Sequence, residues 1–171
     1  MPQYFQSPVG KAKTRWRKST RLAPLIGLLL LVVSAVPVRA ATFTFTAVLT
    51  SGQEPPPNTN DSQAFGVAFV TFNRGSGELC FSISYEESRL TSAETNAHFH
   101  APAPPGENAP VVVQLPTPGS PKNGCVTPDL TEDQRRALFR GLWYVNIHTA
   151  NNPGGEIRGQ VIPQVALFFQ P

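Results

Sequence analysis

The feature that most constrains the fold is a set of short segments in which apolar and polar residues alternate. In "ATFTFTAVLT" (41–50), Phe43, Phe45 and Leu49 alternate with polar residues, and this period of two is typical of a strand with one buried face. Similar segments cover 64–72, 78–85, 109–115, 142–149 and 156–162. The chain also holds 18 prolines and 13 glycines, which favour frequent turns over long helices.

One segment departs from this pattern. Residues 129–141, "DLTEDQRRALFRG", predict a short helix that ends at Gly141. Thr131 and Gln134 have the spacing of a capping box at its start. The tail 163–171 is a candidate edge strand. Seven to eight strands at short spacing predict an all-β protein, an antiparallel β-sandwich of the Ig-like or Greek-key type with one short helix.

The first 40 residues have the layout of an export signal. A basic stretch precedes the apolar run Leu25–Val36, and small residues lead up to Ala40. We therefore expect a signal peptide over 1–40, cleaved near Ala40, and a single mature domain over 41–171. The apolar run is shorter than the about 20 residues that a membrane helix needs, so no stable span is expected after cleavage. An uncleaved signal anchor is the alternative.

Charge is divided unevenly between these two parts. The first part carries seven basic residues and no acidic one, whereas the rest carries seven basic and eleven acidic residues, a formal net charge of −4. A negatively charged mature domain does not suit nucleic acid as a partner. We expect a secreted or extracytoplasmic location, in a periplasm or at a cell surface, with an extracytoplasmic protein or a small ligand as partner.

Cys80 and Cys125 are the two cysteines of the chain. In an oxidising compartment, a pair without a third partner predicts one disulfide. Two free thiols are the alternative. Metal binding by both is disfavoured, because they do not have the C-x-x-C spacing.

The three histidines share one predicted face. His98 and His100 flank Phe99, and His148 follows Ile147. If the apolar residues face the core, all three imidazoles lie on the opposite face. Two histidines at i and i+2 project in parallel, and a third from another strand completes a ligand set that suits copper or zinc. The alternative is that these histidines hydrogen-bond loops without an ion.

The register of the last two predicted strands extends this face. Pairing Ile147 with Ile157 keeps one face apolar. The opposite face then carries the polar residues Tyr144, Asn146, His148, Glu156, Arg158 and Gln160. In this register Glu156 lies opposite His148, so it is a candidate fourth ligand or a hydrogen-bond acceptor for the imidazole. The predicted ligand-binding face consists of Tyr144, Asn146 and Arg158.

The sequence offers little for catalysis by side chains alone. Its serines lie in no nucleophile-elbow context, and phosphate-binding motifs are absent from it. No catalytic residue is therefore assigned. An enzymatic activity would depend on a bound metal ion.

Four stretches together resemble the CHRD domain, the module first named from chordin. They are "LTSGQEPPPNTNDSQAFGVAFV", "GELCFSISY", "AHFHAPAPPGENAPVVVQL" and "YVNIHTANNPGGEIRGQV". The resemblance covers 42–162 and implies an extracytoplasmic β-sandwich whose biochemical activity is poorly defined in the family. The chain departs from the family pattern at Ala101 and Ala109, where glycine is usual.

These observations favour a secreted or cell-envelope CHRD-domain binding module without enzymatic activity, bearing a histidine-based metal or ligand site. The alternative is a mononuclear copper- or zinc-dependent enzyme that uses His98, His100 and His148. Dismutase chemistry is not expected, because three histidines leave no bridging residue for a second ion.

Overall fold

The computed structural model describes residues 41–56 and 60–164, together with Gly10. Its strands are β1 Thr42–Thr50, β2 Phe65–Asn73, β3 Leu79–Tyr85, β4 Glu94–His100, β5 Val111–Gln114, β6 Lys122–Val126, β7 Trp143–Thr149 and β8 Ile157–Pro163. The α-helix is α1 Glu132–Phe139, and single 3-10 turns cover Ser51–Gln53 and Glu87–Arg89. The predicted signal peptide and the tail beyond residue 164 lie outside the described residues, apart from Gly10.

All eight strands are joined by antiparallel pairing into one sheet, in the order β5-β4-β7-β8-β1-β2-β3-β6. Strands β1, β2 and β3 form a meander, because each pairs with the next along the chain. For the described residues, the prediction of an antiparallel all-β protein of seven to eight strands with one short helix is confirmed. The division into two sheets that a sandwich implies stays a prediction, since hydrogen bonding joins all the strands.

The sheet curls so that its distant parts face each other. Phe81 of β3 and Phe99 of β4 meet edge to face with ring centroids 6.1 Å apart, although four strands separate β3 from β4 in the sheet. Trp143 of β7 lies against the same Phe99 ring at 6.1 Å. The inward-facing residues of the strands therefore form one hydrophobic core, as alternating patterns with one apolar face require.

Helix α1 closes part of this core. The predicted capping box forms, because Thr131 Oγ1 accepts from the Gln134 amide and the Gln134 side chain accepts from the Thr131 amide. The helix is shorter than predicted, from Glu132 to Phe139. The Phe139 ring contacts three phenylalanines of the sheet, Phe43, Phe45 and Phe72, at centroid distances of 4.8, 5.6 and 6.1 Å.

Strand β6 was not predicted, because its sequence, "KNGCV", shows no apolar alternation. It pairs with β3 and places Cys80 opposite Cys125, and the two cysteines form the predicted disulfide. Lys122 at its start is 2% exposed and forms a 2.7 Å salt bridge to Glu94 of β4. Cross-strand pairing, the disulfide and this buried ion pair fix a strand that hydrophobic patterning does not reveal.

Within the part of the chain that the structure describes, no helix is long and apolar enough to cross a membrane.

Candidate functional site

The three histidines lie together on the face of the sheet opposite the core, as the alternation predicts. Strand β4 supplies His98 and His100, and β7 supplies His148, next to it in the sheet. The side chains are only 8–9% exposed. This face of the sheet is therefore not an open surface but a buried polar layer.

The ring nitrogens of these histidines converge on one point near Asn146. His98 Nδ1 is 3.2 Å from His148 Nε2, and Asn146 Oδ1 is 3.1 Å from His100 Nε2 and 3.0 Å from His148 Nε2. One nitrogen of each ring lies within 4.8 Å of the others. A tetrahedral ion with bonds of 2.0–2.1 Å separates its ligand atoms by about 3.3 Å. The three imidazoles are thus close enough to share one ion.

Two backbone carbonyl groups fix the orientation of two of these rings. His100 Nδ1 donates to the Ala109 carbonyl at 2.8 Å, and His148 Nδ1 donates to the Pro153 carbonyl at 2.9 Å. Because a carbonyl group only accepts, the proton of each neutral ring is on Nδ1. The Nε2 lone pairs of both rings are then directed at the space beside Asn146.

Burial keeps the three imidazoles neutral at pH 7. Desolvation, together with smaller effects of the neighbouring His148 and His100, lowers the pKa of His98 to about 4. Desolvation also lowers the pKa of His100 and of His148, although the hydrogen bonds to the Ala109 and Pro153 carbonyls oppose this effect. Neutral rings have lone pairs available for a metal ion.

The three residues predicted to form a ligand-binding face are buried. Its members Tyr144, Asn146 and Arg158 are only 2%, 2% and 1% exposed. His100 stacks on the Tyr144 ring at 4.6 Å with the planes 4° apart, and the Arg158 guanidinium lies 3.4 Å from the same ring centroid. These side chains pack around the histidines and do not form an open surface.

Glu156 lies in a different environment from the one that register suggests. The expected pairing of β7 and β8 is confirmed, with Ile147 opposite Ile157 and Asn146 opposite Arg158. The Glu156 carboxylate, however, accepts five hydrogen bonds from four other residues, namely Ser62, Thr91 (twice), Thr149 and Asn152, at 2.6–3.1 Å. Among the described residues, no hydrogen bond joins it to a histidine.

Glu54 is the site residue that sequence reasoning missed. It follows the 3-10 turn Ser51–Gln53, is 8% exposed and bonds to the Asn146 side chain. Burial raises its pKa to about 7, although the Arg158 charge and the Asn146 hydrogen bond oppose this rise. A carboxylate in the proline-rich turn "GQEPPP" was the available signal, because such a turn gives it few polar neighbours.

The Gly154–Gly155 turn makes room for Glu54. Gly155 has φ of +132°, and a Cβ atom there would lie 2.2 Å from Glu54 Oε1. Gly155 therefore permits the close approach of a buried carboxyl group.

The two departures from the family pattern leave the loop after β4 intact. No residue other than glycine has a positive φ in the described ranges, so Ala101 and Ala109 adopt ordinary backbone conformations. The Ala109 carbonyl holds His100, and its amide donates to the Tyr144 hydroxyl at 3.3 Å. Neither position therefore needs the conformational freedom of glycine.

Comparison with known proteins identifies the domain. The model of the CHRD domain family matches residues 45–161, which is more than half of the chain. The match contains His98, His100, His148 and the residues that surround them. No curated protein and no solved structure matches the chain. The order of the four sequence stretches and this match lead to one conclusion: the chain belongs to the CHRD domain family.

Proposed function

We propose that the chain is an extracellular-type binding module that holds one transition-metal ion through His98, His100 and His148. The family supports a binding module of this type. One observation carries the metal site: the rings of His100 and His148 each face oxygen atoms at both nitrogens. A neutral imidazole has a single N–H group. A single cation would satisfy all four converging atoms, which are the two Nε2 atoms, His98 Nδ1 and Asn146 Oδ1.

Protonation of both rings would also satisfy the oxygen atoms, but at a high energetic cost. Two imidazolium groups would then stand within a few ångströms of each other in a buried site, and burial lowers the pKa of both. A single ion held by neutral rings avoids this repulsion. The oriented Nδ1–H groups resemble the outer hydrogen bonds that position metal-binding histidines.

The donor set favours copper or zinc. Three imidazole nitrogens suit both ions, and Asn146 Oδ1 supplies a fourth, oxygen donor. Glu156 is not needed, because its carboxylate is fully occupied elsewhere.

A second candidate function is a mononuclear copper- or zinc-dependent enzyme that uses the same histidines. The observation that favours it is Glu54, a buried carboxyl group that bonds to Asn146 and lines a cavity of about 310 Å³. A catalytic ion needs an open coordination position. Water-proton relaxation of the copper(II)-loaded chain tests this, because an ion without exchangeable water would contradict the enzyme.

The proposal also includes export of the domain and a two-layer packing of its sheet. The disulfide supports export from the cytoplasm, so we propose that residues 1–40 are a signal peptide cleaved near Ala40. The contact between Phe81 and Phe99 supports a two-layer, sandwich-like packing of the curled sheet. Sequencing the amino terminus of the exported protein would test the cleavage.

Metal binding is tested with the full chain. Calorimetric titration with copper(II) or zinc should give one ion per chain, and elemental analysis after dialysis should retain it. A variant with His98→Ala and His100→Ala should lose the ion, whereas Thr95→Ala, exposed on the same strand, should keep it. Failure of the unmodified chain to retain either ion would contradict the proposal.

The Asn146→Asp variant separates the metal site from a hydrogen-bonded alternative. If the Asn146 amide were turned by 180°, its NH₂ group could donate to both Nε2 atoms without any ion. Aspartate keeps an oxygen donor but cannot make these hydrogen bonds when ionised. The metal site predicts retained or tighter ion binding in this variant, whereas the hydrogen-bonded alternative predicts no ion at this site in either form of the chain.

A further inference from the structure

A cavity of about 310 Å³ lies beside the histidine site and is formed by other residues. Its lining consists of Glu54, Asn60, Asn108, Asn151, Asn152, three prolines (Pro55, Pro56 and Pro153) and the Gly154–Gly155 turn. The walls combine apolar proline rings with side chains that carry oxygen atoms. A small organic group, rather than a bare ion, fits such a space.

The Glu54 carboxyl group in this cavity has an unpartnered oxygen. Glu54 is 8% exposed, and its Oε1 is buried without a hydrogen-bond partner among the described residues. Within residues 41–56 and 60–164, no salt bridge within 4.0 Å joins it to Arg158 or to another basic group. A buried acceptor without a donor is costly, and Glu54 lines the cavity, so a donor on a ligand bound there would stabilise this carboxyl group.

Two of the asparagine side chains in the lining have their donors engaged elsewhere. The Asn151 amide group donates to the Thr91 carbonyl at 3.0 Å, and the Asn152 amide group donates to Thr91 Oγ1 at 2.8 Å. Their Oδ1 atoms accept no hydrogen bond from the described residues. Together with the Glu54 carboxyl group, these oxygen atoms give the cavity several hydrogen-bond acceptors, which a ligand that carries donors would complement.

We infer that this cavity binds a primary ammonium group carried on a short aliphatic stem. The ammonium group brings three donors and a charge opposite to that of Glu54, and the stem contacts the proline rings. Arg158 lies close enough to offset part of the carboxylate field, so we expect weak binding, on the order of millimolar. The inference uses none of the metal-binding nitrogens and stands if the metal proposal fails.

The test is a titration of the full chain with n-butylammonium at pH 8, where Glu54 is mostly ionised, monitored by backbone amide NMR shifts. We expect saturable shifts of the amide groups of Asn151, Asn152, Gly154 and Gly155, whereas n-butanol and butyrate should bind at least about tenfold more weakly. Equal binding of n-butanol and n-butylammonium would overturn the inference, as would an absence of saturable shifts. This comparison of probes needs no variant.

Two variants localise the effect. Glu54→Gln keeps the size of the side chain but removes its charge, and should weaken n-butylammonium binding about tenfold. Glu107→Gln removes an exposed charge next to Asn108 and should change the affinity less than about twofold. Similar losses in both variants would show a diffuse surface attraction and would overturn the inference.

Discussion

Two buried glutamates lie at the same end of the sheet and differ in almost every other respect. Glu156 is 0% exposed, and its carboxylate accepts five hydrogen bonds. Glu54 is 8% exposed, and within the described ranges its Oε1 atom has no hydrogen-bond partner. Burial favours a raised pKa in both. The hydrogen bonds reverse this effect and lower the pKa of Glu156, whereas burial prevails and raises the pKa of Glu54 to about 7.

The contrast distinguishes a carboxylate that stabilises the fold from one that faces a site. Glu156 ties β7 to the loops before β2 and β4 through Thr149, Ser62 and Thr91. Glu54 instead contacts Asn146 at the edge of the histidine cluster and lines the cavity. Burial and charge are shared by both residues, so the number of satisfied acceptors is what separates the two roles.

The largest expected effect is on stability when Glu156 is changed. Glu156→Gln replaces an acceptor of five hydrogen bonds by an amide whose NH₂ group faces other donors. We expect a loss of about 3–5 kcal/mol in the free energy of unfolding, measured by urea denaturation. The exposed Glu107→Gln is the control and should change it by less than about 0.5 kcal/mol. A loss below about 1 kcal/mol in Glu156→Gln would show that its hydrogen bonds do not stabilise the fold.

Glu54→Gln should instead increase the free energy of unfolding at neutral to alkaline pH. The folded-state pKa of Glu54 is raised from 4.5 to about 7, so the folded chain binds this proton more tightly than the unfolded chain. The contribution of Glu54 therefore becomes less favourable as pH rises from about 4.5 to 7. Above pH 7 we expect the variant to be more stable by on the order of 3 kcal/mol.

The contribution of Glu54 to stability is isolated by subtracting the unfolding free energy of the variant from that of the unmodified chain at each pH. The histidines titrate in an overlapping range with the opposite slope, because their pKa values are lowered and their stabilisation is lost as pH falls. These contributions cancel in the difference. A difference that does not vary between pH 4.5 and 8 would contradict the assignment of a raised pKa to Glu54.

The smallest of these effects concerns the glycine turn. Gly155→Ala places a methyl group against the Glu54 carboxyl group and requires a φ of +132° from alanine, so we expect a loss of about 2 kcal/mol. Gly154→Ala is the matched control, since a Cβ atom there meets nothing within 4 Å. In a Glu54→Ala background the loss should shrink. Equal losses at both glycines would show that Glu54 does not pack against this turn.

Much of the sheet could be predicted from local patterning. Alternation gave the inward faces of β1, β2, β3, β7 and β8, and the apolar pair Ile147 and Ile157 gave the register of the last two strands. The capping box gave the start of α1. Strand β6 could not be predicted in this way. Its disulfide and its buried Lys122 hold it in place, and neither produces an alternating pattern.

The histidine cluster could be predicted because it follows from strand periodicity, whereas its surroundings could not. Alternation places His98, His100 and His148 on one face, but it does not show that loops bury that face. The hydrogen bonds from His100 to the Ala109 carbonyl and from His148 to the Pro153 carbonyl depend on loop conformation. For the same reason the sequence favoured Glu156, which register places near His148, over Glu54.

The central claim is that three imidazoles and one oxygen atom hold a single ion. X-ray absorption at the zinc or copper edge of the metal-loaded full chain tests it directly. The account predicts three histidine nitrogens at about 2.0–2.1 Å and an oxygen neighbour, with the imidazole signal lost when His98 and His100 are both changed to alanine. A spectrum with oxygen neighbours alone, or one that the double variant leaves unchanged, would contradict the account.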